Sequence, residues 1–398
     1  MTTAATVRAA VSDAAQRTQY RVLGAISSAH FLNDMMQSLI LALYPMLKGT
    51  YHLSFTQLGL LTLTYQLAAS ILQPLVGQIT DRRPQQHALV VGMGFTLAGL
   101  LLLSQAHTFA LLLLAAALVG TGSSIFHPEA SRIARLASGG QHGLAQSLFQ
   151  VGGNAGSACG PLLAALIVIP LGQPSLAWFS GAALLAMAVL HWISRWFAAQ
   201  HRAQTRHATA KAMPFSRGKT IWIMGVLLTL LMTKFVYMAS FQSYYTFYLI
   251  ERFALAPQQA QLLLFVFLFA VALGTLAGGP IGDRLGRKVV IWFSILGAAP
   301  FALWLPQVGL AGTVLLSFVV GLIMSSAFSA MLVYAQELMP GKVGTVAGLF
   351  FGLAFGIAGL GAALVGRLAD HYGIVAVYQA LAYLPLLGIV AGLLPKLK

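Results

Sequence analysis

Long apolar runs dominate this sequence, and they limit the folds that the chain can adopt. A bilayer has a hydrocarbon core about 30 Å thick, and a helix of about 20 apolar residues crosses it. Of the 398 residues, 58% are apolar and only 8% are charged, whereas a soluble domain has about 25% charged residues. Too few charges are left to cover a water-exposed surface. The sequence therefore predicts an all-α integral membrane protein with twelve transmembrane helices.

The apolar runs and the polar stretches between them predict the domain organisation. We expect membrane spans at residues 21–47, 55–80, 88–104, 109–136, 144–169, 175–197, 220–250, 260–281, 289–305, 309–334, 345–369 and 374–394. The predicted domains are a cytoplasmic N-terminal tail (1–20), a six-helix bundle (21–197), a cytoplasmic linker (198–219), a second six-helix bundle (220–394) and a cytoplasmic C-terminus (395–398). The tail lacks an apolar stretch with a cleavage site, so we do not interpret it as a signal peptide.

The basic residues lie mainly on one side of the predicted membrane. With both termini cytoplasmic, most of the 23 Lys and Arg residues fall in loops and helix ends on that side, which is the usual bias of cytoplasmic loops. The net charge of +15 is thus spread over many short loops, and this argues against a nucleic-acid partner. The single cysteine, Cys159, excludes an internal disulfide.

The two predicted bundles repeat short motifs in the same order. Gly77-Gln-Ile-Thr-Asp81-Arg82 recurs as Gly279-Pro-Ile-Gly-Asp283-Arg284, and Leu53-Ser-Phe-Thr-Gln57 corresponds to Leu255-Ala-Pro-Gln-Gln259. A parallel duplication of six helices gives two halves related by a pseudo-twofold axis along the membrane normal. We expect any substrate path to lie between the halves, near the middle of the membrane.

The loop motifs resemble a known family. The run from Gly279 to Lys288, with Asp283, Arg284, Gly286 and Arg287, is similar to the loop signature of the major facilitator superfamily. The copy that begins at Gly77 is degenerate, because Pro84 and two glutamines replace its last part. Gly156-x3-Gly160-Pro161 resembles a motif of the superfamily's antiporters. This resemblance implies a major facilitator fold and transport by alternating access.

A finer resemblance covers most of the chain. The segments that carry it are similar to those of bacterial members of the superfamily that confer resistance to fosmidomycin: 30–38, 126–132, 142–154, 237–245 and 333–337. The resemblance implies proton-coupled efflux of a small phosphonate antibiotic across the bacterial inner membrane. We expect a monomer whose partners are a small-molecule substrate and membrane lipid.

One acidic residue lies in the first predicted span, on a polar face of an otherwise apolar helix. His30, Asn33, Asp34 and Gln37 are spaced by three or four residues and so share that face. Because an ionisable group at membrane depth is costly, it is a functional candidate by default. We interpret Asp34 and His30 as proton-coupling residues, and Asn33 and Gln37 as substrate-binding residues. The alternative is a hydrogen-bonded cluster that only holds helices together.

The fourth predicted span contains the second intramembrane acid. Glu129 and Arg132 are three residues apart and can pair, and His127 lies on another face. In the functional interpretation, Glu129 couples to protons while His127 and Arg132 bind an anionic substrate. In the alternative, Glu129 and Arg132 form a fixed ion pair.

Further polar residues on the fifth and seventh spans are candidates for the substrate site. Lys234 is far from either end of its span, too far to reach the membrane surface easily, and Tyr237 follows one turn later. Gln150 and Asn154 share one helical face. We predict that all four bind substrate, although aromatic packing and bonds between helices are the alternatives for Tyr237 and for the two amides.

The repeated loop motifs predict a gate rather than a binding site. An aspartate at such a loop can accept hydrogen bonds from the N–H groups at a helix start and pair with arginines. The ordinary alternative, topogenic charge, explains the arginines but not the repeated aspartates. The predicted gating residues are Gly77, Asp81, Arg82, Gly279, Asp283, Arg284 and Arg287.

The sequence carries no recognisable catalytic motif. It has neither a His-Glu-x-x-His zinc motif nor a Gly-x4-Gly-Lys-Ser/Thr nucleotide loop. We therefore predict no enzyme activity, no metal and no cofactor, with a proton gradient as the energy source. Efflux of a small anion is the favoured function, and proton-coupled uptake of an anionic metabolite is the alternative.

Overall fold

The computed structural model describes residues 18–83, 85–204 and 215–393, with the side chains at 200–204, 279–280, 282–284, 287 and 390–393 left out of the description. Within these ranges the chain is helical and forms no strand. Residues 1–17, the middle of the predicted linker and the predicted C-terminus lie outside the described residues.

The helices follow one another with short connections. The first six are α1 Tyr20–Ala42, α2 Tyr44–Tyr51, α3 Phe55–Arg82, α4 Ala88–Gln105, α5 Phe109–Leu136 and α6 His142–Leu163. The next five are α7 Ile169–Leu171, α8 Ser180–Gln204, α9 Arg217–Phe253, α10 Pro257–Leu285 and α11 Arg287–Leu296. The last five are α12 Ala299–Trp304, α13 Leu310–Ser325, α14 Phe328–Leu338, α15 Val343–Tyr372 and α16 Ile374–Leu381.

Ten segments of the described chain are long and apolar enough to cross a membrane. They are Phe55–Arg82, Ala88–Gln105, Phe109–Leu136, His142–Leu171, Gln173–Ala199, Arg217–Phe253, Pro257–Gly278, Lys288–Gln307, Leu310–Leu338 and Val343–Tyr372. Helix α1 is not among them, because its polar face lowers its mean hydropathy. The last segment is shorter, since a 3-10 helix at Leu384–Leu393 follows α16.

Several expected spans are interrupted rather than continuous. A π-helical turn, Ala164–Val168, follows Pro161, whose ring removes one backbone donor. The span expected at 289–305 breaks before Pro300, and the span expected at 309–334 breaks between α13 and α14. The span expected at 374–394 becomes a 3-10 helix. The sequence periodicity located these segments but not their breaks.

Two helix pairs join the N-terminal and C-terminal parts of the chain. Helix α3 packs along α15, and α6 packs against α10. Glycines permit the close approach: a Cβ on Gly77 of α3 would collide with the backbone carbonyl of Gly344 at the start of α15. These two interfaces border the central cavity described below.

The outer surface remains apolar. Large hydrophobic side chains such as Ile71, Leu166 and Leu360 are about two-thirds exposed, at 67%, 63% and 59%. In water such a surface would be unfavourable, whereas lipid chains solvate it. This matches the expectation of a membrane protein.

Candidate functional site

A central cavity of about 150 Å³ lies between the two halves of the described chain. The polar side chains that line it from the first half are His30, Asp34, Gln37, Ser38, Tyr65, Gln66, His127, Gln150, Asn154 and Ser157. Those from the second half are Lys234, Gln242, Thr275 and Ser325, beside apolar residues that include Phe328, Phe351 and Phe355. Most of the ionisable groups thus lie on the first half.

Two histidines and one aspartate form a cluster at the wall of this cavity. His30 Nε2 lies 3.2 Å from Asp34 Oδ2, and His127 Nε2 lies 3.7 Å from Asp34 Oδ1. Both histidines are almost fully buried, whereas the Asp34 side chain keeps 16% of its exposure. Asn33 Nδ2 donates to Asp34 Oδ1 at 3.0 Å. The carboxylate therefore sits between two imidazoles and one amide.

The Nδ1 atom of each imidazole lies beside a backbone carbonyl. His30 Nδ1 lies 2.8 Å from the carbonyl oxygen of Phe149, and His127 Nδ1 lies 3.0 Å from the carbonyl oxygen of Ser123 and 3.1 Å from its hydroxyl. A carbonyl oxygen only accepts, so His30 Nδ1 is a donor, whereas the Ser123 hydroxyl can donate to His127 Nδ1 or accept from it. In a neutral His30 ring, Nε2 then has a lone pair that faces the Asp34 carboxylate. Two acceptors meet there, and only an added proton or another cation makes the contact attractive.

The donor atoms of His30, Asp34 and His127 lie within 4.8 Å of one another. This spacing suits a shared proton and also the ligands of a metal ion. The sequence predicted no metal, and that stays a prediction. The close packing of the cluster depends on Gly153 of α6, where a side chain would collide with the His30 ring.

Aromatic rings surround the cluster. The ring of His30 stacks on Phe149, with centroids 4.0 Å apart. The ring of His127 contacts Phe351 and Phe355 of α15, each at a centroid distance of 5.1 Å. Phenyl rings offer no hydrogen bond of ordinary strength, so they shield the cluster from competing polar groups.

Gln37 extends the cluster towards α3. Its Oε1 accepts a hydrogen bond from the Tyr65 hydroxyl at 2.5 Å and another from Ser123 Oγ at 3.4 Å. Ser123 also contacts His127, which links the amide to the imidazole. The Nε2 of Gln37 has no hydrogen-bond partner among the described residues and remains available in the cavity.

Lys234 is the cation of the second half that lines the cavity. It is 3% exposed, and its Nζ has no hydrogen-bond partner in the described part of the chain. An unpaired ammonium group is costly inside a membrane protein. The sequence expectation that Lys234 faces a cavity, rather than reaching to the membrane surface, agrees with this position.

Two predicted cavity residues lie elsewhere. Arg132 Nη2 donates to Glu129 Oε2 at 2.7 Å, its Nη1 donates to the carbonyl of Thr80, and its guanidinium packs over Phe197. Neither Glu129 nor Arg132 lines the central cavity. Their geometry matches the alternative interpretation, a fixed ion pair.

Tyr237 packs against other side chains, whereas the two amides of α6 line the cavity. Tyr237 does not line the cavity and packs on Phe241 at 5.1 Å, which matches the packing alternative. Gln150 and Asn154 do line it, and Asn154 Nδ2 donates to Thr275 Oγ1 of α10 at 2.6 Å. Asn154 therefore both lines the cavity and connects the halves.

Asp81 joins the end of α3 to the start of α15, and its gating role stays a prediction. Its carboxylate accepts hydrogen bonds from Gly344 N at 3.1 Å, from Thr345 N at 2.8 Å and from Thr345 Oγ1 at 2.8 Å. Arg82 is exposed beside it. The side chains of the other four predicted gating residues lie outside the description: Gly279, Asp283, Arg284 and Arg287.

Sequence reasoning missed several cavity residues. Gln66 and Gln242 are single amides in apolar stretches, and each lines the cavity. Their polarity was a usable signal, because an uncharged amide also needs a partner inside a membrane. Phe351 and Phe355 gave no such signal, since apolar residues on a membrane helix do not reveal which face they occupy.

The Major Facilitator Superfamily matches residues 26–256 and 245–397 of the chain. The chain therefore belongs to this superfamily, and it is a membrane transporter rather than an enzyme.

Among particular relatives, it is 58% identical to the fosmidomycin resistance protein of Escherichia coli (strain K12) over 388 residues, 97% of this chain and 96% of that protein. It is 40% identical to the MFS-type transporter YfnC of Bacillus subtilis (strain 168), over 95% of this chain and 94% of that one.

Solved structures support the same fold. The transporter FucP in its outward conformation superposes with a TM-score of 0.68 at 15% identity, covering 96% of this chain and all of that one, 100%. The nucleoside transporter NupG superposes with a TM-score of 0.67 at 14% identity, covering 94% and 100%. At such identities these likenesses establish the fold alone.

Proposed function

We propose that this transporter exports a small anionic compound, such as the phosphonate antibiotic fosmidomycin, in exchange for protons. The identity to the fosmidomycin resistance protein of Escherichia coli supports this choice of cargo. The transporter acts as a monomer in the bacterial inner membrane with both termini cytoplasmic. Helix α1 and the segment Ile374–Leu393 complete twelve spans, whose two halves are related by a pseudo-twofold axis.

The observation that carries the proposal is the buried and unpaired side-chain nitrogen of Lys234. It is buried at the cavity and has no hydrogen-bond partner among the described residues. An anionic headgroup supplies the missing partner, and an ammonium–phosphonate contact is a charge-assisted hydrogen bond. The free Nε2 of Gln37 and the amide of Gln150 line the same cavity and offer donors or acceptors to the rest of the cargo.

The proton binds at Asp34 and His30. Their contact at 3.2 Å is attractive only when one of them carries an additional proton, because His30 Nδ1 already donates to Phe149. Burial disfavours an uncompensated charge here, and access to water restores it. Glu129 is held by Arg132 at 2.7 Å and serves structure in this scheme.

Proton and cargo alternate because they compete for the same acceptors. A cargo whose headgroup binds Lys234 and whose other end carries a hydroxyl or N–H group can donate to Asp34. That donor takes the place of the proton, so either ligand makes the cluster attractive. In the empty carrier, acceptor atoms of the cluster still face each other with no hydrogen between them, so this form does not close readily. Coupled exchange requires that the carrier change conformation only with the proton or the cargo bound.

Alternating access uses the contacts that now hold the two halves together at each end. Asp81 caps α15 at the predicted cytoplasmic end, and Arg135 Nη1 donates to Gln336 Oε1 at 2.9 Å nearby. At the opposite end Gln261 Nε2 donates to the carbonyl of Ala42 at 2.6 Å. Opening to one side requires that the contacts at one end break while those at the other end remain.

Exchange is favourable electrically. When one monoanion leaves and one proton enters, the net transfer is equivalent to two positive charges moving inward. Each contributes about 2.3 kcal/mol per 100 mV of membrane potential. The cycle should therefore generate current.

Proton-coupled uptake of an anionic metabolite is the second candidate, and Lys234 favours it too. In this scheme Lys234 attracts the anion, and Asp34 binds the proton that enters with it. Symport of one proton with one monoanion moves no net charge. Voltage dependence therefore distinguishes the two candidates.

The test uses purified protein in liposomes with fosmidomycin as the probe and the voltage set by a potassium ionophore. Exchange predicts fosmidomycin accumulation driven by an acidic interior and strongly changed by voltage. Symport predicts accumulation driven by an acidic exterior and insensitive to voltage. Asp34→Asn should abolish the effect of the pH gradient while the protein still folds. Full proton-driven transport by this variant would exclude Asp34 from the mechanism.

A further inference from the structure

His127 connects the proton-binding cluster to the opposite half of the transporter. Its Nε2 lies 3.7 Å from Asp34 Oδ1, within the first half. Its ring also contacts Phe351 and Phe355, which belong to α15 in the second half. The side chain is 1% exposed. One imidazole thus joins a proton site to a surface that must move when the halves rock.

We propose that Phe351 and Phe355 form an aromatic lid over His127 that keeps water away from this imidazole until the halves separate. The lid acts by position and exclusion, and neither ring handles the proton itself. The inference rests on the proposed function, in which this cluster carries the proton. It makes His127 a part of the proton site, whereas the sequence suggested a substrate contact.

The two rings lie one helical turn apart on α15 and meet the imidazole at different angles. Phe351 meets the His127 ring at an interplanar angle of 44°, and Phe355 meets it nearly edge-on at 82°. Along α15, Phe351 is nearer to Gly344 at the predicted cytoplasmic end, and Phe355 is one turn further towards Asp370. Opening at the cytoplasmic end therefore exposes His127 by moving Phe351 away from it, and opening at the other end exposes it by moving Phe355 away.

The lid is held in place by its own neighbours. Phe351 packs against Phe328 of α14, with centroids 5.3 Å apart, and lies 6.3 Å from Phe355. The Asp81 and Asp370 caps fix both ends of α15 against α3. The rings therefore cannot leave His127 while both ends remain closed.

Keeping water away from His127 matters because other ionisable groups line the same cavity. Besides the cluster itself, the ionisable side chains that line the cavity are Tyr65 on α3 and Lys234 on α9. Helices α6, α10, α14 and α15 contribute only uncharged residues to the described cavity lining. Water that reached His127 from both sides at once would offer protons a route past the carrier without cargo. Shielding of His127 by the two rings prevents that leak.

The experiment measures proton entry into liposomes that contain the purified transporter, a trapped pH-sensitive dye and no fosmidomycin. An acidic exterior drives the protons. Phe351→Ala and Phe355→Ala should each raise protein-dependent proton entry about tenfold, because either change removes one of the two rings of α15 that cover His127. Phe351→Leu should stay near the wild-type rate, since leucine still fills most of the space.

Phe235→Ala is the matched control. Phe235 lines the same cavity on α9 and packs on Phe328, with centroids 5.6 Å apart, but makes no ring contact with His127 among the described residues. Its removal therefore enlarges the cavity while both rings of the lid remain.

Wild-type coupling is measured first, and its absence would reject the proposed function itself. With coupling established, proton entry in the alanine variants that equals both wild type and Phe235→Ala would overturn the lid. If the alanine variants fail to fold, the graded series Phe→Leu and Phe→Val at both positions replaces them. Proton entry should then rise as the side chain shrinks, and a flat series rejects the lid.

Discussion

The carboxylate of Asp370, near the end of α15, accepts a hydrogen bond of 2.5 Å from the hydroxyl of Thr56 in the first turn of α3. The N–H groups of Phe55 and Thr56 donate to the same carboxylate at 3.0 and 2.8 Å. At the far end of this antiparallel pair, Asp81 accepts equivalent bonds from Thr345 and the residue before it. Each helix caps the other, so both ends are closed by the same chemistry.

The reciprocal caps predict opposite effects for two isosteric substitutions. Asp370→Asn removes the charge that stabilises the start of α3, which should favour opening at that end by about tenfold. Asp81→Asn should favour opening at the predicted cytoplasmic end. A cysteine placed at Gln242 in a Cys159→Ser background reports access to the cavity through labelling by a membrane-impermeant thiol reagent applied outside.

The labelling rate should rise in Asp370→Asn and fall in Asp81→Asn. Thr56→Val serves as a milder control, because it removes one hydrogen bond and keeps the two backbone bonds to Asp370. Equal labelling in all variants would show that the caps do not set the balance between states.

Lys234→Met tests the anion site. Methionine keeps most of the length of the side chain and removes its charge, so binding of an anionic cargo should weaken at least about tenfold, the scale of a charge-assisted bond. Lys234→Arg should keep part of the affinity. Isothermal titration with fosmidomycin measures both, and unchanged affinity in the methionine variant would place the anion elsewhere.

Glu129 and Arg132 should behave as a structural pair. Glu129→Gln leaves Arg132 uncompensated in a buried site, and loss of one partner of a buried pair costs about 3–5 kcal/mol of unfolding free energy. The double variant Glu129→Gln/Arg132→Met should recover much of that loss and keep proton-driven transport. Thermal unfolding and liposome transport check the two expectations. Loss of proton coupling in a stable double variant would assign Glu129 to the proton path.

Local periodicity predicted the part of the site that lies on one helix. His30 and Asp34 are one turn apart on α1, and they are in contact. The same polar face explains why α1 has too low a mean hydropathy to count among the ten apolar segments. Spacing within one helix is readable from sequence because helix geometry fixes it.

Contacts between helices were less predictable. His127 reaches Asp34 only because α5 packs beside α1, and no spacing in the sequence encodes that approach. Tyr237 is one turn from Lys234, yet it packs on Phe241 while Lys234 lines the cavity. On an apolar helix, hydropathy does not distinguish a face against lipid from a face against protein.

Gly153 of α6 offers a test of the cluster that leaves its chemical groups intact. A Cβ there would collide with the His30 ring and lie 2.7 Å from Asp34 Oδ2, so Gly153→Ala should push His30 and Asp34 apart. Overpacking costs about 1–3 kcal/mol, partly offset by the better helix propensity of alanine, about 1 kcal/mol. We therefore expect a folded protein with proton-driven fosmidomycin transport reduced about tenfold or more. Gly94→Ala on α4 is the matched control, because no atom lies within 4 Å of its added Cβ. Liposome transport and thermal unfolding of the two variants decide the matter: if Gly153→Ala transports with the same pH dependence as Gly94→Ala, the contact between His30 and Asp34 is not needed for coupling.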